Sequence, residues 1–282
     1  MSIRKKNLWF VLAVSVVMSI LRTFIVSTNL EKNSANADIY YLPENFIVVA
    51  FASAFAILVL AFLTSSIRFG RKTVVFDDHE TASSVGSLIA AFLVLGTTVA
   101  YFIVLSISQA KAPSGYGPPT KGGITGLQDV SVLEILVIAF AIASALKFLL
   151  IGIRNHKSDG LSSSSLAILS LFPIVFASLR LLNDFVKTSA IPMASSNAYH
   201  MISLVALLLF FLVEGKSYVS ESKSVLVDFY GYVAIFSLLV YAIPDLVIHL
   251  FGTFDFDMAA CFSIADLGFA TYVITRLYST KE

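Results

Sequence analysis

The chain has 282 residues, of which 57% are hydrophobic and only 13% charged, with a mean hydropathy of +0.87. That composition excludes a water-soluble domain, whose charged share is about 25%, and points to a polytopic membrane protein. The net charge of +1 is uninformative as a total, but no basic domain or zinc pattern for nucleic acid lies outside the apolar runs, and the single cysteine, Cys261, excludes an internal disulfide and any cysteine-based metal cluster.

Residues 8–28 form the first apolar run, behind Arg4, Lys5 and Lys6. A secretory signal opens in the same way, and Ala35-Asn36-Ala37 offers a small-x-small pattern. The run has span length rather than the roughly 7–15 residues of a signal core, so a retained span is expected. Further runs lie at 45–67, 85–108, 131–153, 164–187, 199–215, 225–250 and 257–277. At about 1.5 Å of rise per residue, runs of this length cross a hydrocarbon core of roughly 30 Å. The fold predicted is an all-α polytopic transmembrane helix bundle of about eight spans, one membrane domain over 1–282. The last run is the weakest, because Asp266 falls near its middle among Ala259, Ala260, Cys261, Ser263, Ala265 and Gly268. Seven spans is the alternative count.

The connections are short and leave no room for a soluble catalytic domain. The longest, Gln109 to Val130, is rich in Pro and Gly and reads as a solvated linker or as a flap over the bundle. With eight spans and an inner N-terminus, Arg4, Lys5, Lys6, Arg68, Arg71, Lys72, Arg154, Lys157, Lys216, Lys223, Arg276 and Lys281 fall inside, and only Lys32, Lys111, Lys121 and Lys187 fall outside. This asymmetry predicts that both termini are cytoplasmic.

Leu21-Arg22 in the first span and Leu179-Arg180 in the fifth occupy similar positions, and each span is followed by a polar outer loop and a second apolar helix. A duplicated four-helix unit, with halves 1–157 and 158–282 in the same orientation, is one reading. A chance Leu-Arg match is the other.

Ionisable residues inside a span are costly unless paired or hydrated, which makes each a candidate for function. Here they are Arg22, Lys147, Arg180, Asp184, Asp228, Asp245 and Asp266, with His200 and His249 near helix ends. The topology puts Arg22, Arg180, Asp184, Asp245 and Asp266 in the outer half, and these five are the candidate ligand-binding residues. Lys147 and Asp228 lie near inner ends, where reaching the interface explains them. Arg180 and Asp184 have the four-residue spacing of an intrahelical ion pair. Pro173 and Pro244 each remove a backbone hydrogen bond, so both helices are expected to kink where the charges begin. Asp266, too short to reach headgroups, pairs with Arg22 or Arg180, binds a ligand or ion, or marks a misassigned span.

His79, in Phe-Asp-Asp-His-Glu, reads as solvated rather than as a metal ligand, and no cofactor is implied. There is no His-Glu-x-x-His helix, nucleophile elbow or phosphate loop, so an enzyme is not expected.

Leu171-Phe172-Pro173, Leu179-Arg180-Leu181-Leu182, Asn197 and Leu208-Leu209-Phe210-Phe211-Leu212 resemble a pattern in uncharacterised multi-pass membrane proteins of Firmicutes, especially Clostridia. The first span, with Leu21-Arg22 and then Tyr40-Tyr41, is similar. The resemblance covers about a third of the chain and departs at Glu214-Gly215-Lys216, where a small or basic residue is usual. It implies a bacterial cytoplasmic membrane protein and assigns no activity.

Two function classes stand. One is small-molecule or ion binding or transport through a polar cavity open to the outside, with arginines for an anion or carboxylates for a proton or cation. The other is a non-catalytic membrane component that binds a partner protein or lipid, its charges fixing helix packing. In both, the lipid bilayer is the principal partner.

Overall fold

A computed structural model of the protein describes residues 3–30, 46–69, 73–76, 81–111, 132–154, 163–188, 195–220, 222–251 and 258–281. The segments holding Ala35-Asn36-Ala37, Tyr40-Tyr41, His79 and most of the Gln109–Val130 loop lie outside these residues. The described helices are α1 (Ile3–Leu30), α2 (Phe46–Phe69), α3 (Thr81–Lys111), α4 (Val132–Arg154), α5 (Ser163–Leu169), α6 (Leu171–Thr188), α7 (Ser195–Ser217), α8 (Ser224–Phe251) and α9 (Met258–Tyr278). Short strands β1 (Thr73–Phe76), β2 (Ser222–Lys223) and β3 (Thr280–Lys281) pair antiparallel in the order β2-β1-β3. The expected all-α membrane bundle is the architecture found.

Among the described residues seven spans are long and apolar enough to cross a membrane, with α5 and α6 together making one of them. The helix α9 is not among the seven, although its 21 residues would extend about 31 Å. Its burial explains its composition. No residue from 261 to 280 is exposed, and α9 packs mainly against α3 and α8. A helix surrounded by protein does not need a lipid-compatible surface, so it can carry Asp266 and Arg276 where their partners are at hand. Close approach of α3 and α9 rests on two glycines. A Cβ on Gly86 would lie 2.1 Å from Thr275 Oγ1, and one on Gly268 would lie 3.1 Å from the Ala90 carbonyl oxygen.

The run 164–187 is not one continuous helix. Pro173 has no N–H for the Leu169 carbonyl four residues earlier. The chain closes α5 there, with the Ser170 N–H donating to the Leu166 and Ala167 carbonyls at 3.0 and 3.2 Å, and restarts at Leu171. The second proline behaves differently, since α8 runs helical through Pro244.

One face of the bundle is tied together by the strands. Val75 and Phe76 of β1 pair with Lys281 and Thr280, while Thr73 and Val74 pair with Lys223 and Ser222. This joins the α2–α3 connection, the α7–α8 connection and the end of α9. Arg4 pairs with Asp228 at the start of α8, and Lys5 Nζ sits 3.9 Å above the Tyr278 ring. Residues near both chain ends therefore meet on one face of the bundle.

At mid-depth the core is aromatic. Phe269 of α9 stacks on Phe176 at 5.1 Å and meets Phe148 and Phe211 edge-on at 5.5 and 5.9 Å. Polar networks lie on either side of this layer.

Candidate functional site

The first network lies in the half of the bundle away from the strands. Arg180 is eight residues from the end of α6, and Asp266 is eight residues from the start of α9, so the two occupy the same depth, about 12 Å in. They meet side on: Arg180 Nη1 donates to Asp266 Oδ1 at 2.5 Å and Nη2 to Oδ2 at 2.9 Å. Both are buried, and the Arg180 guanidinium lies 4.9 Å from the centre of the Phe262 ring. The helix α7 contributes His200, whose Nδ1 is 2.9 Å from Asp184 Oδ2 and whose Nε2 is 3.7 Å from Asp266 Oδ2. Its imidazole stacks on Tyr241 of α8, ring centres 4.3 Å apart and planes within 16°.

Arg22 performs a different task. Pro244 cannot donate to the Val240 carbonyl, and Arg22 Nη1 supplies that donor from α1 at 2.8 Å. Ser19, one turn earlier, donates to the neighbouring Leu239 carbonyl at 3.0 Å. The helix α1 thus completes the backbone of α8 at its proline, and the guanidinium lies 4.9 and 5.3 Å from the Tyr199 and Tyr241 ring centres. Asp245 accepts from Ser263 Oγ at 2.6 Å, and its carbonyl lies 2.8 Å from His249 Nδ1.

Two sequence expectations change at this point. Arg180 reaches across to α9 instead of pairing along its own helix, and Asp184, one turn on, faces His200. Of the two partners expected for Asp266, Arg180 is the one it meets. All five candidate residues fall in the same half of the bundle. Arg180, Asp184 and Asp266 share one network, while Arg22 and Asp245 flank it through α8. His200 joins three helices and carried a weak sequence signal, a histidine near a helix end.

The second network lies towards the strands and was missed. Glu214 Oε2 accepts from Lys147 Nζ at 2.8 Å, while Oε1 accepts from Arg276 Nε at 2.8 Å and from the Tyr272 hydroxyl at 2.6 Å. Arg276 also donates to Ser83 Oγ at 3.2 Å and to the Tyr218 hydroxyl. Lys147, Glu214 and Arg276 are all 0% exposed, so Lys147 does not reach the interface. Its ammonium lies 4.7 Å from the Phe211 ring centre instead. Asp228 is likewise buried, against Arg4. The available sequence signal was Glu214 itself, an acid near the end of the apolar run 199–215.

Among the described residues no group of three or more His, Cys, Asp or Glu side chains is arranged to hold a metal ion. No protein-family model matches the chain, and no curated protein and no solved structure shows significant similarity to it.

Proposed function

We propose that this multi-pass membrane protein binds and translocates an ion or small molecule, with the Arg180–Asp266–His200–Asp184 network as the exchange site. The observation that carries the reading is the convergence of four ionisable side chains from α6, α7 and α9 inside the bundle, where one pair would suffice to lock two helices. Asp184 and Asp245 keep 22% and 12% of their side chains exposed while Asp266 keeps none, which fits a site that opens from the outer face. The aromatic layer at Phe148, Phe176, Phe211 and Phe269 then separates that site from the other face, and the Glu214 network closes the far end. On the lysine and arginine asymmetry, the strand face and both termini are cytoplasmic, in the membrane of a bacterial cell. No catalytic step is assigned to any residue.

A non-catalytic component that binds a partner protein or lipid is the second reading. It is favoured by the bidentate Arg180–Asp266 pair, which satisfies both charges, and by the use of Arg22 to complete the α8 backbone. Water access separates the two. Cysteines at positions 245 and 266, introduced one at a time in a Cys261→Ala background, should react with a membrane-impermeant thiol reagent added outside. Because Asp266 is fully buried, its reaction reports opening of the site. Silence at both positions in folded protein would leave only the second reading.

A further inference from the structure

We infer that the strand-side ends of α1, α2 and α8 form a site for the phosphate of an anionic phospholipid, held by Arg4 and Ser66. The site lies apart from the Arg180–Asp266 network and stands whichever reading of that network holds. Arg4 is 5% exposed and Ser66 2%. Arg4 Nη2 is in ion-pair contact with Asp228 Oδ1, yet no nitrogen of the guanidinium makes a hydrogen bond among the described residues, and neither does Ser66 Oγ. A guanidinium carries five N–H donors and no acceptor, and a buried donor left unmatched is costly. What these two side chains call for is an acceptor-rich guest.

Three contacts bring them to one place. Arg4 meets Asp228 near the start of α8. Asn7, one turn along α1 from Arg4, donates Nδ2 to Oγ of Ser65, the neighbour of Ser66, at 3.1 Å. Phe62, one turn before Ser66, meets the ring of Tyr232 at 6.4 Å, and Tyr232 is one turn beyond Asp228. Arg4, Ser66, Asp228 and Tyr232 thus line the end of a three-helix junction. Because α1 and α2 both pack on α8 and touch each other little, a shallow groove floored by α8 runs between them.

Depth and charge specify the guest. Arg4 is the second residue of α1 and Ser66 the fourth from the end of α2, which is the level of headgroups rather than of acyl chains. Lys6 and Arg68 are exposed on the ends of the same two helices, and with Arg4 they outweigh Asp228. Basic side chains at this level attract anionic lipids. The oxygens of a phosphodiester accept from a guanidinium and from a serine hydroxyl, which matches the groups left open here. Both helices are apolar beyond this end, so the groove can take the acyl chains that a free phosphate lacks.

The test uses the full-length protein purified in detergent and titrated with phosphatidylglycerol, phosphatidylcholine or inorganic phosphate. Native mass spectrometry counts bound lipid, and the unfolding temperature is followed in parallel. Phosphatidylglycerol should bind about fivefold more tightly than phosphatidylcholine. Ser66→Ala removes a hydroxyl that has no partner in the lipid-free protein, so it should leave the lipid-free unfolding temperature unchanged and weaken phosphatidylglycerol binding about fivefold. Arg4→Gln strands Asp228, so it is combined with Asp228→Asn, and this double variant should lose the preference for phosphatidylglycerol. Equal binding of the two lipids, or phosphatidylglycerol binding that ignores both variants, would leave water as the occupant and overturn the inference. Inorganic phosphate should not raise the unfolding temperature, and a rise equal to that from phosphatidylglycerol would overturn a lipid as the source of the phosphate.

Discussion

Removing one member of the Arg180–Asp266 pair should cost far more than removing both. The pair is bidentate, at 2.5 and 2.9 Å, between side chains 2% and 0% exposed. At a charge separation of about 4 Å and an effective dielectric constant near 20, its attraction is about 4 kcal/mol. Breaking a buried pair from one side typically costs about 3–5 kcal/mol, because the remaining charge stays buried. Arg180→Gln leaves Asp266 as the stranded charge and should lower stability by that amount. Asp266→Asn should be milder, since Arg180 can turn towards Asp184 one helical turn away. Arg180→Gln with Asp266→Asn should recover most of the loss, giving a coupling energy of roughly 3 kcal/mol. Unfolding of the purified protein in detergent, followed by loss of monodisperse material with temperature or denaturant, measures all four corners of this cycle. Rescue of Arg180→Gln by Asp184→Asn rather than by Asp266→Asn would refute the reasoning and restore the intrahelical pair. So would two single losses that simply add.

The same assay reaches three other contacts. Arg22→Met leaves the Val240 carbonyl without its donor and should cost about 1–3 kcal/mol, whereas in a Pro244→Ala background the restored N–H should remove most of that cost. An equal Arg22→Met penalty in both backgrounds would show that the arginine does not serve the proline. Glu214→Gln strands Lys147 and Arg276 together and should lower stability by more than about 3 kcal/mol, while Lys147→Met, which leaves the Glu214–Arg276 pair, should cost less than half as much. Gly86→Ala drives a methyl group to within 2.1–2.5 Å of the Thr275 side chain and should cost about 1–3 kcal/mol, partly recovered by Thr275→Ala if the α3–α9 contact is as close as described.

What could be read from the chain alone was largely one-dimensional. Apolar runs announced the helices, because a span must be long and water-free whatever surrounds it. The depth of each charge followed by counting residues from the helix ends. Arg180 and Asp266 could thus be placed in the same half of the membrane, and Pro173 marked the point where the fifth run breaks. Lateral neighbours were not legible. Arg180 has Asp184 at ideal helical spacing on its own helix, yet it pairs with a residue 86 positions away, because α9 brings Asp266 beside it. Lys147, Glu214 and Arg276 each had a bland explanation when taken alone, as a snorkelling lysine, an odd acid at a helix end and a cytoplasmic charge. Only the packing of α4, α7 and α9 makes them one buried network. The weak eighth run reflects the same division. Hydropathy records the preference of a segment for lipid, and α9 is shielded from lipid by its neighbours. Its polarity became intelligible only when the tertiary structure placed it at the centre of the bundle, with a partner beside Asp266 and another beside Arg276.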